Sequence, residues 1–311
     1  MRALSVDVAR GRTSVVEAPV PKPGRRQILV EIKVSAVNEM DVQVRSGGWA
    51  SQVKRFRRAG PVLTGFEFVG VARSDGARIR SGQRIIGYSH VLSGPRTHAE
   101  FACLDERDLQ VIPDDLPDED AAALVVMGLT AIEVLERIRR LEPGERCLVI
   151  GAAGGVGAYA VQLAASQGGQ VTAIASAANA GWVRAQGAGE VRAYEGEDRY
   201  RPEDRFDLVI DAPGKSSFAQ AGPYLAPGGT YVTTNPTADM GGFVRAALSD
   251  KRAGWLMMLR TDPAKLSRLV ELWREGAVRP AIDSVYDLSD ADAAFDRFAA
   301  RGKQGRVLLK I

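Results

Sequence analysis

Cysteine and histidine are nearly absent, with two of each among 311 residues. That scarcity excludes a disulfide framework and leaves little from which to build a Cys/His metal site. No uncharged apolar run approaches the roughly 18 residues needed to span a bilayer, so no membrane partner is expected. The opening MRALSVDVARG lacks the apolar core of a secretory signal and reads as a strand. Charge of one sign is also in short supply. The 41 Lys and Arg against 38 Asp and Glu leave +3, too small an excess to indicate a nucleic-acid partner. Together these absences predict a reduced, cytoplasmic enzyme or binding protein. At about 100–200 residues per domain, the length predicts two domains or one large one.

The first third reads as β-structure. Ile28, Val30, Ile32 and Val34 alternate with more polar neighbours at the period of a half-buried strand. Short apolar runs follow at 66–72, 84–88 and 99–104, a spacing that suggests a compact, partly closed β-domain. A helix is expected from about Ala36 to Arg45. After Pro117, Asp118 is placed to cap a long apolar helix that Gly128 should bend or split. Strands then alternate with helices. They are expected at 147–151, 170–176, 190–194, 206–212, 230–234 and 255–260, which predicts a doubly wound parallel sheet. The last strands, 284–288 and 306–311, should rejoin the first domain.

Ala152, Gly154 and Gly157 form an A-x-G-x-x-G turn between an apolar strand and a helix. Glycines there let the backbone approach a pyrophosphate, and the helix N-terminus offers free N–H groups and partial positive charge. The alternative is a tight strand-helix turn that binds nothing. Between Gly157 and Gly189 there is no acidic residue. No carboxylate at the end of the second strand would therefore accept from a ribose 2′-OH or repel a 2′-phosphate. This favours NADP(H), with Ser176 as a neutral donor, over NAD(H). Arg184 is the nearest cation in sequence.

With these motifs in place the chain resembles the medium-chain dehydrogenase/reductase superfamily, in its zinc-independent quinone oxidoreductase and enoyl reductase branch. Val37-Asn38-Glu39-Met40-Asp41, Arg45-Ser46-Gly47 and Gly65-Phe66-Glu67-Phe68-Val69-Gly70 carry the likeness in the first domain. Gly128-Leu129-Thr130-Ala131, the glycine turn, Leu225-Ala226-Pro227-Gly228-Gly229 and Gly302-Lys303-Gln304-Gly305-Arg306-Val307 carry it onward. The resemblance implies an α/β fold, a GroES-like partly closed β-domain plus a doubly wound Rossmann parallel sheet. The implied division is 1–117 with 279–311 for substrate, and 118–278 for the dinucleotide.

Zinc-dependent relatives carry Cys and His in the slots held here by Asn38 and Phe66, and a lobe of four close Cys. Cys103 and Cys147 are far apart and in neither slot, so no metal is expected. His90 and His98 are expected as surface or strand residues. The resemblance puts Asn38 beside the nicotinamide, bonding its ribose or a substrate oxygen; a turn-stabilising role is the other reading. It puts Thr130 on the nicotinamide side, Ala153, Gly154, Gly155, Val156 and Gly157 on the pyrophosphate, and Ser176 and Tyr194 on the 2′-phosphate. Asn179 stands where relatives have Lys, and Thr234 and Asn235 close a strand whose carboxyl end faces the ligand crevice. Gln43 and Trp49 occupy positions where several relatives have Tyr. Gln is no general acid, so a product proton would come from water or another group.

The implied activity is an NADPH-dependent, zinc-independent hydride transfer to a quinone or α,β-unsaturated carbonyl. An enoyl-thioester reductase remains open. So does a cofactor-binding protein or non-redox enzyme on the same scaffold. A homodimer is implied through an edge strand of the nucleotide domain. Residues 52–58 carry four cations and read either as a basic lip that attracts an anionic substrate or carrier partner, or as a solvated helix face. The run 254–259 reads as a buried strand or a pocket lining. Asp41 and Arg45, one helical turn apart, are expected to pair, and Glu67 to be structural.

Overall fold

A computed structural model describes residues 1–48, 62–90, 93–94, 96–196, 199–256 and 261–311. Trp49, the cationic stretch 52–58 and residues 257–260 lie outside the described residues.

The alternating apolar residues of the first third become strands. β1 (Arg2–Asp7) and β2 (Arg12–Glu17) pair as a hairpin. In β3 (Gln27–Ala36) the four alternating residues Ile28, Val30, Ile32 and Val34 are buried. The expected helix starts three residues late, as α1 (Glu39–Arg45), because Ala36 is still paired opposite Leu308. β4 (Glu67–Ala72), β5 (Arg84–Tyr88), β6 (Phe101–Asp105) and β7 (Leu109–Val111) follow.

In α2 (Asp118–Ile132) the N-cap is Pro117, so Asp118 is the first helical residue rather than the cap. A π-helical stretch, Glu133–Ile138, extends it. Next come β8 (Arg146–Ile150), α3 (Gly155–Ser166), β9 (Gln170–Ala175), α4 (Ala180–Ala185), β10 (Glu190–Ala193) and β11 (Phe206–Asp211). α5 (Phe218–Ala221), β12 (Leu225–Thr233), α6 (Met240–Ala247), β13 (Arg252–Trp255) and α7 (Pro263–Arg274) complete the alternation. β14 (Ile282–Asp287), α8 (Ala291–Ala299) and β15 (Arg306–Lys310) end the chain.

Two sheets result. One is parallel, in the order β10-β9-β8-β11-β12-β13. The chain leaves β8 in one direction and returns to β11 on its other side, so a crevice opens between their carboxyl ends. The other sheet runs β14-β15-β3-β4-β5-β7, with β6 also on β3. β14 and β15 thus hydrogen-bond into the N-terminal sheet. The fold is α/β, a GroES-like partly closed β-domain with a doubly wound Rossmann sheet. α2 packs between them: one buried cluster runs from Val34 and Ile86 through Leu124 and Leu129 to Val149 and Leu208.

Three expectations change. α2 runs through Gly128 without ending there. A Cβ at that glycine would lie 2.4 Å from Leu269 Cδ1, so its purpose is the close approach of α7. Trp255 ends an edge strand and is 51% exposed, because nothing described pairs with β13 on its outer side. His98 is wholly buried rather than at the surface. Its Nδ1 is 2.8 Å from Thr64 Oγ1 and its Nε2 3.3 Å from Ala36 O, so the folded state holds a neutral ring.

Burial lowers the His98 pKa to about 4. A depressed folded pKa means that the unfolded chain takes up the proton first. The stability His98 contributes is complete above pH 6.5 and is lost as the pH falls toward 4, about 2 kcal/mol of it by pH 5. Asp41, raised by burial to about 7, acts in the opposite sense, its contribution fading as pH rises from 3.8 to 7. On going from pH 7 to pH 5, His98→Gln should therefore gain about 2 kcal/mol of stability relative to the parent, read by urea unfolding; an equal change in the two proteins contradicts the assignment.

Candidate functional site

The crevice is floored by the glycine turn. After β8, Gly151 takes φ +76°, a left-handed conformation, and a Cβ on it would lie 2.7 Å from Pro213 Cδ. Gly157 is more constrained still. A Cβ there would stand 2.2 Å from Gly151 O, so the first turn of α3 can lie on the loop only if that residue is glycine. Gly154 is the N-cap of α3, and no side chain caps the helix. The first-turn amides of Gly155, Val156 and Gly157 are thus left for an anion. Ala153 O accepts from Gly305 N at 3.0 Å, which seats the segment before β15 against the turn.

Polar residues gather at the neighbouring strand ends. Ser176 follows β9, and its buried Oγ has no partner among the described residues. Tyr194 follows β10, with its hydroxyl 3.5 Å from where a Gly151 Cβ would be. Asn179 is turned inward: Nδ2 donates to Lys303 O at 3.4 Å, and Oδ1 accepts from Gln304 Nε2 at 3.0 Å. Its slot serves as a brace to the C-terminal segment. Thr234 and Asn235 follow β12. The Thr234 hydroxyl donates to Ala212 O at 3.0 Å, and Asn235 Nδ2 to Gly214 O at 3.5 Å, so both steady the loop after β11.

The opposite wall is a buried polar junction. Asn38 caps α1, and its Nδ2 donates to Glu67 Oε1 at 2.9 Å and to Ala36 O at 3.4 Å. The other Glu67 oxygen accepts from Val126 N at 2.6 Å. Arg306 Nη2 contacts Glu67 Oε1 directly and donates to Asn38 Oδ1 at 3.3 Å. Glu67 and Arg306 are both fully buried. Burial raises the Glu67 carboxyl above the usual range, an effect that Arg306, the Val126 N–H and the Asn38 amide only partly offset. Thr130 donates its hydroxyl proton to Val126 O at 2.7 Å, leaving its oxygen as an acceptor. Arg306 Nε is buried without a partner among the described residues, and the adjacent Cδ lies 3.2 Å from where a Gly155 Cβ would be. Gln43, on α1, has a buried Oε1 with no partner among the described residues.

Asp41 and Arg45 do not pair. Asp41 is completely buried and accepts from Asn38 N at 2.8 Å and Gly65 N at 2.6 Å. Arg45 reaches Asp296 instead, at 2.8 Å, over the Phe295 ring. Two backbone donors at one buried carboxylate outweigh an exposed ion pair along a helix. Glu67, expected to be structural, is fully buried and ties Asn38, Val126 and Arg306 together. Arg306 was not singled out by itself; the available signal was a lone cation opening the apolar run Arg306-Val307-Leu308-Leu309.

The residues fit a dinucleotide: a glycine cradle, uncapped helix amides and two orphaned buried donors, Ser176 Oγ and Arg306 Nε, lie along one crevice. They do not fit a catalytic zinc. Phe66 offers no ligand, Asn38 is tied to Glu67, and no group of three or more His, Cys, Asp or Glu among the described residues could hold a metal ion.

Residues 186–309 match a family model described as zinc-binding dehydrogenase. The chain is 28% identical over 310 residues to the chloroplast envelope quinone oxidoreductase homolog of Arabidopsis thaliana, covering 95% of this chain and 93% of that one. It is 25% identical over 323 residues to a trans-enoyl reductase of Aspergillus terreus, covering 94% and 90%. The solved quinone oxidoreductase of Coxiella burnetii superposes with a TM-score of 0.90 at 25% identity, covering 100% of this chain and 99% of that one. Its two-sheet architecture, its glycine turn and these likenesses are those of the medium-chain dehydrogenase/reductase superfamily of oxidoreductases.

Proposed function

We propose that this protein is an NADPH-dependent, zinc-independent reductase of quinones or α,β-unsaturated carbonyls, including enoyl thioesters. The observation that carries the reading is the glycine cradle with two orphaned donors along one crevice, beside a second strand that ends in Ser176 instead of a carboxylate. In this reading Ala153 to Gly157 hold the diphosphate, with Arg306 Nε beneath. Ser176 and Tyr194 take the 2′-phosphate, and Asn179 braces that pocket from behind. Thr130 accepts from the carboxamide, Asn38 from the nicotinamide ribose, and Thr234 and Asn235 shape the far rim. The division into 1–117 with 279–311 and 118–278, and a cytoplasmic location, belong to the same reading.

The coenzyme supplies the hydride, and the protein's task is to orient donor and acceptor carbons. With both amide hydrogens of Asn38 engaged by Glu67 and Ala36, the charge developing on the substrate oxygen is met by water or a backbone N–H. Gln43 has no proton to give as an acid, and Trp49 offers only an indole N–H, so the product proton comes from water.

Single-turnover loss of NADPH absorbance against a panel of quinones, enones and enoyl thioesters tests the reading. Oxidation by at least one class is expected; tight NADPH binding with no oxidation by any of them favours the non-redox alternative. Ser176→Asp should weaken NADPH binding about tenfold or more through charge repulsion while sparing NADH, read by fluorescence titration. Gly157→Ala should weaken both coenzymes about a hundredfold, because its Cβ must displace the Gly151 carbonyl.

A homodimer is part of the proposal. Met240 and Val244 on α6 and Leu248 at its C-cap recur at four-residue spacing and are exposed, Leu248 at 85%, beside β13, whose outer edge is unpaired among the described residues. An open strand edge next to an apolar stripe matches itself across a two-fold axis. Sedimentation should find a dimer for the parent and a monomer for Val244→Glu; a parent monomer rejects this part.

A further inference from the structure

Three hydrogen-bond donors from different parts of the chain converge on the fully buried carboxylate of Glu67. Asn38 Nδ2 and Arg306 Nη2 share Oε1, and Val126 N takes Oε2. A carboxylate facing three donors can only accept. It therefore decides which end of the Asn38 amide faces it, since an amide oxygen turned toward a carboxylate would be repelled. Arg306 reinforces the choice from the other side, donating to Asn38 Oδ1. Both Nδ2 hydrogens then have acceptors, Glu67 Oε1 and Ala36 O, and Oδ1, which also faces Asp41 N in the capping box of α1, is the one accepting atom of the amide.

We infer that Glu67 is the positioning residue of this site, fixing the Asn38 amide so that Oδ1 is the one atom it can offer a ligand. Asn38 then accepts a hydrogen bond from a hydroxyl on the nicotinamide ribose and does not donate to a substrate oxygen. This rests on the coenzyme reading given above. A neutral Gln at 67 cannot reproduce the arrangement. Its amide group would face either Val126 N–H or the Asn38 and Arg306 donors, donor against donor.

The test compares NADPH with analogues lacking the 2′- or the 3′-hydroxyl of the nicotinamide ribose, by calorimetric titration without substrate. In the parent, one of the two deletions should raise Kd about tenfold. In Asn38→Ala and in Glu67→Gln the same deletion should change Kd less than about twofold, whatever the absolute affinity. The ratio within each variant is the readout, so a general loss of stability or affinity does not imitate the effect. Should Glu67→Gln fail to fold, the double variant Glu67→Leu/Arg306→Met removes the buried pair as a unit, a change usually tolerated, and should likewise lose the discrimination. A Glu67 variant that keeps the parent's ratio overturns the inference. So does a parent that binds NADPH and ignores both deletions. A parent that binds no NADPH overturns the coenzyme reading together with it.

Discussion

One buried charge pair organises the junction between the two sheets. Glu67 opens β4, and Arg306 opens β15; each is removed from water and each is worth having only because the other is present. Losing either partner would leave a charge stranded in the interior, at a cost of about 3–5 kcal/mol. The pair does more than balance its own charges. Through Asn38 it holds the start of α1, through Val126 it holds α2, and through the backbone of Gly305 the strand that carries Arg306 is seated on the glycine turn. These are the walls and floor of the crevice.

The polarity of the crevice follows from where its hydrogens are already committed. Thr130 and Asn38 have given their protons to the protein and keep only accepting capacity. The amides of α3, Ser176 Oγ and Arg306 Nε remain as donors along the floor. Acceptors at one end and donors at the other suit a molecule with amide and hydroxyl hydrogens at one end and phosphates along its middle. The protein thereby orients a reactive ring and leaves the electronic work to that ring.

What was legible in the sequence was local. The alternation of Ile28 to Val34 and the glycine spacing after β8 each fix geometry within a few residues, and both stand in the structure as read. What escaped was long-range or competitive. Glu67 and Arg306 are 239 positions apart, and neither carries a local pattern that names its partner. Asp41 and Arg45 have the spacing of a helical pair, yet two backbone amides claim the carboxylate first. Gly128 looks like a helix breaker, but its missing side chain makes room for Leu269, supplied by a helix far along the chain. His98 sits in a turn-rich stretch, and only the folding of β1 and β3 around it makes it interior. Asn179 matched a binding slot by position, while its amide is turned to residues 303 and 304.

The central claim is that a nicotinamide dinucleotide lies with its diphosphate on the first turn of α3 and its reactive ring against the Asn38–Thr130 wall. A crystal structure of the protein grown with NADPH tests this most directly. The account predicts diphosphate oxygens on the amides of Gly155 and Val156, Arg306 Nε–H directed at a phosphate oxygen, and Asn38 Oδ1, not Nδ2, facing the ribose. A nucleotide bound away from the glycine turn, or one whose ring end lies outside the Asn38–Thr130 wall, would contradict it.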